Sequence, residues 1–126
     1  MIDSVIHELT TGEKHTHWMW FVFPQVQGLG RSEIAKHYAI SSTEEALAYL
    51  SHPVLGARLN QCVGILVDLS DRSAEQVFGS TDAMKFRSSM SLFAFVSSGK
   101  NIFEAALGKY YDGRHDQATL DILRRE

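Results

Sequence analysis

The sequence predicts a mainly α fold, a single compact multi-helix domain with about six to eight short helices around one long central helix. Three observations predict it. Helix-capping patterns recur along the chain, apolar residues repeat at i, i+3/i+4, and only one short segment has the aromatic and β-branched content of a strand. The 126 residues suffice for one core and are too few for two ordinary domains.

Taken in order, Asp3 or Ser4 can cap a short first helix running through Leu9 and closed by Gly12. The segment His17-Trp18-Met19-Trp20-Phe21-Val22-Phe23 suits either a buried strand or a buried helix by composition. A short helix is the expectation, because a lone strand has no sheet to join. Glu33 to Tyr38 reads as a helix behind a Ser32 cap. Ser42-Thr43-Glu44-Glu45 has capping-box spacing and precedes Ala46, Leu47, Tyr49 and Leu50. Pro53 suits a first helical position, and Leu55, Leu59, Cys62, Val63, Leu66 and Leu69 then form the stripe expected of the long central helix. Ser73 to Gln76 repeats the capping box and Gly79 ends that helix. A helix carrying Ala83, Phe86, Met90 and Phe93 follows. Asn101 to Glu104 opens another helix, with Gly113 as its left-handed stop, and Asp116 caps the last one.

Composition excludes several function classes. With 12 Lys+Arg against 15 Asp+Glu the net charge is -3, which gives no electrostatic footprint for nucleic acid. No apolar run is long enough to span a membrane. The single cysteine, Cys62, cannot form an internal disulfide, and the N-terminus has no basic flank or cleavage site of a signal peptide; both predict a cytoplasmic chain. The pair His15 and His17 lacks a third ligand at a recognisable spacing, so no metal and no cofactor is expected. A monomer or a homodimer is equally compatible with this composition.

Three segments could carry chemistry. The first has four aromatics within six residues, Trp18, Trp20, Phe21 and Phe23, flanked by the polar residues His17 and Gln25. It is either a packing element or the aromatic wall of a pocket. In the second, Gly28-Leu29-Gly30-Arg31-Ser32, two glycines stand before a Ser-capped helix start. Exposed amides, the helix dipole and the Arg31 guanidinium would together suit an anion; a plain tight turn is the alternative. The third runs from Gly79 to Phe95. At 100° per residue Asp82, Lys85 and Ser89 share one edge of the apolar stripe, with Ser88 beside them. A first-turn Asp82 agrees with the helix dipole. A first-turn Lys85 opposes it, so an anionic partner or ligand is expected there, an Asp–Lys pair being the simpler case.

These segments resemble a known family. His17 to Gln25, Gly28 to Ser32, Tyr38-Ala39-Ile40, Tyr49-Leu50-Ser51-His52-Pro53, Phe78-Gly79 with Asp82 and Lys85, Ser88-Ser89, Leu92-Phe93 and Tyr110-Tyr111-Asp112-Gly113 are similar, in order, to the domain-of-unknown-function family numbered 1810. The match runs from about Glu13 to the C-terminus. The resemblance implies a compact, mainly helical, bacterial-type cytosolic domain whose activity is not established. The calpastatin label carried by some members implies a disordered inhibitor repeat, which this globular pattern does not match. Members of the family also carry an upstream helical segment, so the N-terminal helix is expected to be truncated here.

Two functions from different classes follow. One is a site for a small phosphate-bearing ligand, a nucleotide or an ADP-ribose-like molecule. Trp18, Trp20, Gln25, Gly28, Gly30, Arg31, Ser32, Ser88 and Ser89 would bind, and in a hydrolytic version Asp82 or His17 would be the general base and Lys85 the electrostatic stabiliser. The other is a non-catalytic protein-interaction or structural module, in which the aromatic segment is simply core.

Overall fold

The computed structural model describes residues 2–30 and 32–125. Among them are nine helices: α1 (Ile2–Thr11), α2 (Met19–Val22), α3 (Glu33–Tyr38), α4 (Thr43–Ser51), α5 (Leu55–Asp68), α6 (Ala74–Phe78), α7 (Ser80–Val96), α8 (Ile102–Tyr111) and α9 (Gln117–Leu123). The mainly α, single-domain expectation holds. The only extended pairing among the described residues is an isolated parallel bridge between Val26 and Ile40.

The caps act largely as the spacing predicts. Ser73 and Gln76 form a reciprocal capping box, and the side chains of Ser32, Ser42, Asn101 and Asp116 each accept a first-turn amide. The Ser42 box is only half made, because the Glu45 carboxylate turns back to the amide and hydroxyl of Ser41 instead. Asp3 lies inside the first turn of α1 rather than at its cap. Pro53 lies in the turn before α5 rather than at its first position, and the amides of Val54 and Leu55 there donate to His52 Nδ1.

The central helix is α7, with 17 residues, and not the 14-residue α5 that the cleaner apolar stripe singles out. α7 packs against α4, α6, α8 and α9, while α5 packs against α1, α4 and α8. Every residue from Ser88 to Ala94 is buried. Three serines in that run break the apolar periodicity without preventing burial. Ser88 Oγ lies 3.1 Å from both Met84 O and Asp116 Oδ2 and shares its one proton between them, and Ser91 Oγ donates to Arg87 O at 2.8 Å, so both hydroxyls are satisfied.

Aromatic side chains fill the space between α2, α6 and α7. Phe86 meets Phe23 and Phe78 at centroid distances of 4.9 and 5.0 Å. Tyr110 and Tyr111 fix α8 from outside: their hydroxyls donate to Leu66 O at 2.5 Å and to Ala83 O. Burial pushes the Tyr110 phenol up to about 12, so it stays a donor throughout the neutral range. The start of α7 is thereby held against α8, with α6 on its other side.

Candidate functional site

Between α1 and α2 the chain crosses the surface without regular structure, and Glu8 organises this crossing. Its buried carboxylate accepts from the amides of His15 (2.6 Å) and Thr16 (3.0 Å), from Thr16 Oγ1 (2.7 Å) and from Trp18 Nε1 (3.1 Å). Burial alone would raise its pKa. The four donors outweigh burial and hold the carboxyl at about 2. The amide of Lys14 donates to Val77 O at 2.7 Å, which fastens the same segment to α6. The Lys14 side chain then lies over the face of the Trp18 ring, 5.2 Å from its centroid.

Opposite stands the start of α7. Gly79 ends α6 and opens α7 with φ at +82°, a conformation an L side chain rarely adopts, and among the described residues no side chain caps the first-turn amides of α7. Asp82 receives two ammonium groups: Lys14 Nζ is 2.9 Å from Oδ2 and Lys85 Nζ is 3.6 Å from Oδ1. The Lys14, Asp82 and Lys85 side chains are 7%, 21% and 28% exposed. Lys85 Nζ also lies 5.4 Å from the centroid of Trp20. Lys85 is the sixth residue of α7 and so occupies its second turn, which corrects the expected clash with the helix dipole. Its placement follows from Asp82 and Trp20. Among the described residues the count of charges is unbalanced: two cations share one carboxylate.

A cavity of about 280 Å³ opens here, lined by Lys14, His17, Trp18, Trp20, Asp82, Lys85 and the Gly79–Thr81 turn among others. His17, Trp18, Trp20, Asp82 and Lys85 are thus brought to one place. Trp20 Nε1 is buried, with no acceptor among the described residues. His17 is exposed, and no hydrogen bond orients its ring among the described residues.

Gln25, Gly30 and Ser88 line a second cavity of about 410 Å³, whose wall includes Thr81 and Lys85 from the first. Gly30 fits only as glycine, since a Cβ there would meet that of Ala35 at 2.5 Å. Three expected residues lie elsewhere. Ser89 is fully buried in the middle of α7, its hydroxyl without a partner among the described residues, and lines neither cavity, because the helix is enclosed on all sides by that point. Gly28 is an exposed turn residue at φ +107°, and Ser32 is spent capping α3; neither reaches a cavity. Arg31 lies outside the described residues. Among the described residues no group of three His, Cys, Asp or Glu is placed to hold a metal ion.

Lys14 and Glu8 were missed by sequence reasoning, and Asp116 was read there only as a helix cap and not as a cavity residue. Glu8 had a signal: it sits three residues after Val5 and beside Leu9 on the buried face of α1, where a carboxylate needs donors. Lys14 had none, since its role depends on α7 arriving opposite it.

No curated protein matches the chain. The family model described as protein of unknown function (DUF1810) matches residues 1–123, so it also takes in α1, upstream of the Glu13 limit that the motifs suggested. The chain is similar in structure to the crystal structure of the conserved hypothetical protein Rv1873 from Mycobacterium tuberculosis. The TM-score is 0.94 at 49% identity, over 97% of this chain and 87% of that one. The same bundle therefore underlies both sequences, and the chain belongs to the DUF1810 family of proteins of unknown function.

Proposed function

We propose that the chain binds a small phosphate-bearing ligand, a nucleotide or an ADP-ribose-like molecule, in the cavity at the start of α7. One observation carries this reading: Lys14 and Lys85 share the single carboxylate of Asp82 beside the uncapped N-terminus of a 17-residue helix. Partly buried cations in excess of their counter-charges are costly unless an anion joins them. The free amides and the dipole of α7 favour the same charge. Trp18 and Trp20 supply apolar wall for the part of the ligand that follows the phosphate.

Binding is better supported than hydrolysis. Both oxygens of Asp82 are engaged by ammonium groups, so this side chain holds the lysines rather than waiting for a proton. Among the described residues His17 has no partner to fix its ring, as a general base requires. The test is titration of isotope-labelled protein with inorganic phosphate, a nucleotide and ADP-ribose, followed by amide NMR. Shifts are expected at Lys14 to Trp20 and Gly79 to Lys85, and Lys85→Met should weaken binding about tenfold or more with little change in melting temperature. Amide signals that stay unmoved at saturating ligand overturn the reading.

A second reading, an interaction module, is favoured by α3, which buries none of its residues and leaves Ile34 and Tyr38 exposed. A second copy of the chain or another protein could cover that face. A concentration-dependent mass in sedimentation that Ile34→Asp abolishes would support it, and a concentration-independent monomer mass would count against self-association.

A further inference from the structure

We infer that the second cavity is a subsite for the sugar of the same ligand, and that the ligand class is therefore a pentose phosphate or a nucleotide built on one. The inference rests on the phosphate reading above and adds the identity of the group next to the phosphate. The two cavities share Lys85 and Thr81 and so lie side by side; the proposed ligand has its phosphate at Lys14 and Lys85 and its next group beyond Lys85.

The chemistry of the two cavities differs. The first presents cations and amides. The second presents the Gln25 amide, the Ser88 hydroxyl and the Asp116 carboxylate, with Leu29 and Met84 as apolar wall. Asp116 is held from both sides. Its amide donates to Ser91 Oγ at 2.8 Å, and its Oδ2 accepts from Ser88 Oγ and from the Thr119 amide, both at 3.1 Å, and from Thr119 Oγ1 at 2.5 Å. Among the described residues nothing donates to Oδ1. Asp116 therefore lines the cavity with one carboxylate oxygen uncommitted, beside the Lys85 ammonium, a setting that suits a neutral group that both donates and accepts. A second anion would be repelled by Asp116, and a cation by Lys85. Adjacent hydroxyls on a sugar ring meet both demands, one donating to the carboxylate and one accepting from Lys85. At about 410 Å³ the cavity has room for a pentose.

Affinities of inorganic phosphate, ribose 5-phosphate and 2-deoxyribose 5-phosphate for the whole chain test this. Ribose 5-phosphate should bind about tenfold or more tightly than phosphate, and the 2-deoxy compound should lose most of that gain. Asp116→Asn retains a good helix cap, and Met84→Trp, at a side chain 72% exposed, fills the second cavity from its rim. Each should lower the ratio of ribose 5-phosphate affinity to phosphate affinity towards one. Phosphate that binds with no gain from the sugar, or a ratio unchanged in both variants, overturns the sugar assignment and leaves the phosphate site standing. Failure of all three compounds to bind the unaltered chain overturns both.

Discussion

Two carboxylates border the segment between α1 and α2, and they are treated in opposite ways. Glu8 lies buried beneath it and, among the described residues, is met by four neutral donors and no cation. Asp82 lies above it, partly exposed, with an ammonium on each oxygen. The Glu8 environment is complete: every donor aimed at it is satisfied, and a ligand could add nothing. The Asp82 environment is overfilled with positive charge, and an anion would improve it. Saturation marks a structural site and imbalance a binding site, although both contain an acid within reach of a tryptophan.

Removing the structural acid should break this comparison most severely. Glu8→Ala strips the acceptor from Trp18 Nε1 and from the turn amides at once, and a loss of about 4 kcal/mol is expected in chemical denaturation. Loss of less than about 1 kcal/mol would show that water replaces the carboxylate freely, and the contrast with Asp82 would fail.

The acid limb of the stability curve measures the same group. Its folded pKa of about 2 lies below the ordinary 4.5, so its contribution is complete above that ordinary value and is lost as pH falls from 4.5 towards 2. The full amount is about 3 kcal/mol. Glu8→Gln should flatten this limb, and an unchanged acid limb in that variant would assign acid sensitivity to other carboxylates.

At the mouth of the site, Asp82→Asn should cost about 1–2 kcal/mol, because Lys14 is almost enclosed and loses its counter-charge. Phosphate should restore part of that loss and bind more tightly to the variant than to the unaltered chain, as two cations then face the ligand. Thermal melts with and without phosphate read both effects. Tighter binding to the unaltered chain would mean that Asp82 itself contacts the ligand. The smallest stability effect belongs to Lys85→Met, at less than about 1 kcal/mol for a partly exposed pair, while phosphate binding falls about tenfold. A large stability loss with binding intact would return the Asp82–Lys85 pair to the structural class.

Local chemistry was legible wherever it depends on neighbours in the chain. The caps at Ser73, Asn101 and Asp116 and the turn at Gly79 act within about four residues, so their spacing carries the information. The edge holding Asp82 and Lys85 was legible for the same reason. Ser89, one turn further on, was misread because its surroundings come from other helices. The identity of the central helix was hidden likewise: serines that bond their own helix's carbonyls look polar in sequence and behave as small core residues.

By itself, then, the sequence determined the class of fold, most helix starts, and an acid and a base one turn apart at the head of α7, while the left-handed end of α8 fell on Asp112, one residue before the expected Gly113. Tertiary structure alone decided which helix lies at the centre, that Lys14 arrives across from Asp82, and that Asp116 borders the cavity beyond Lys85. Caps and turns are set by bonds that close over one turn of chain, whereas a surplus of charge is a property of side chains brought together from α7 and from the segment before α2. Only packing brings those side chains together.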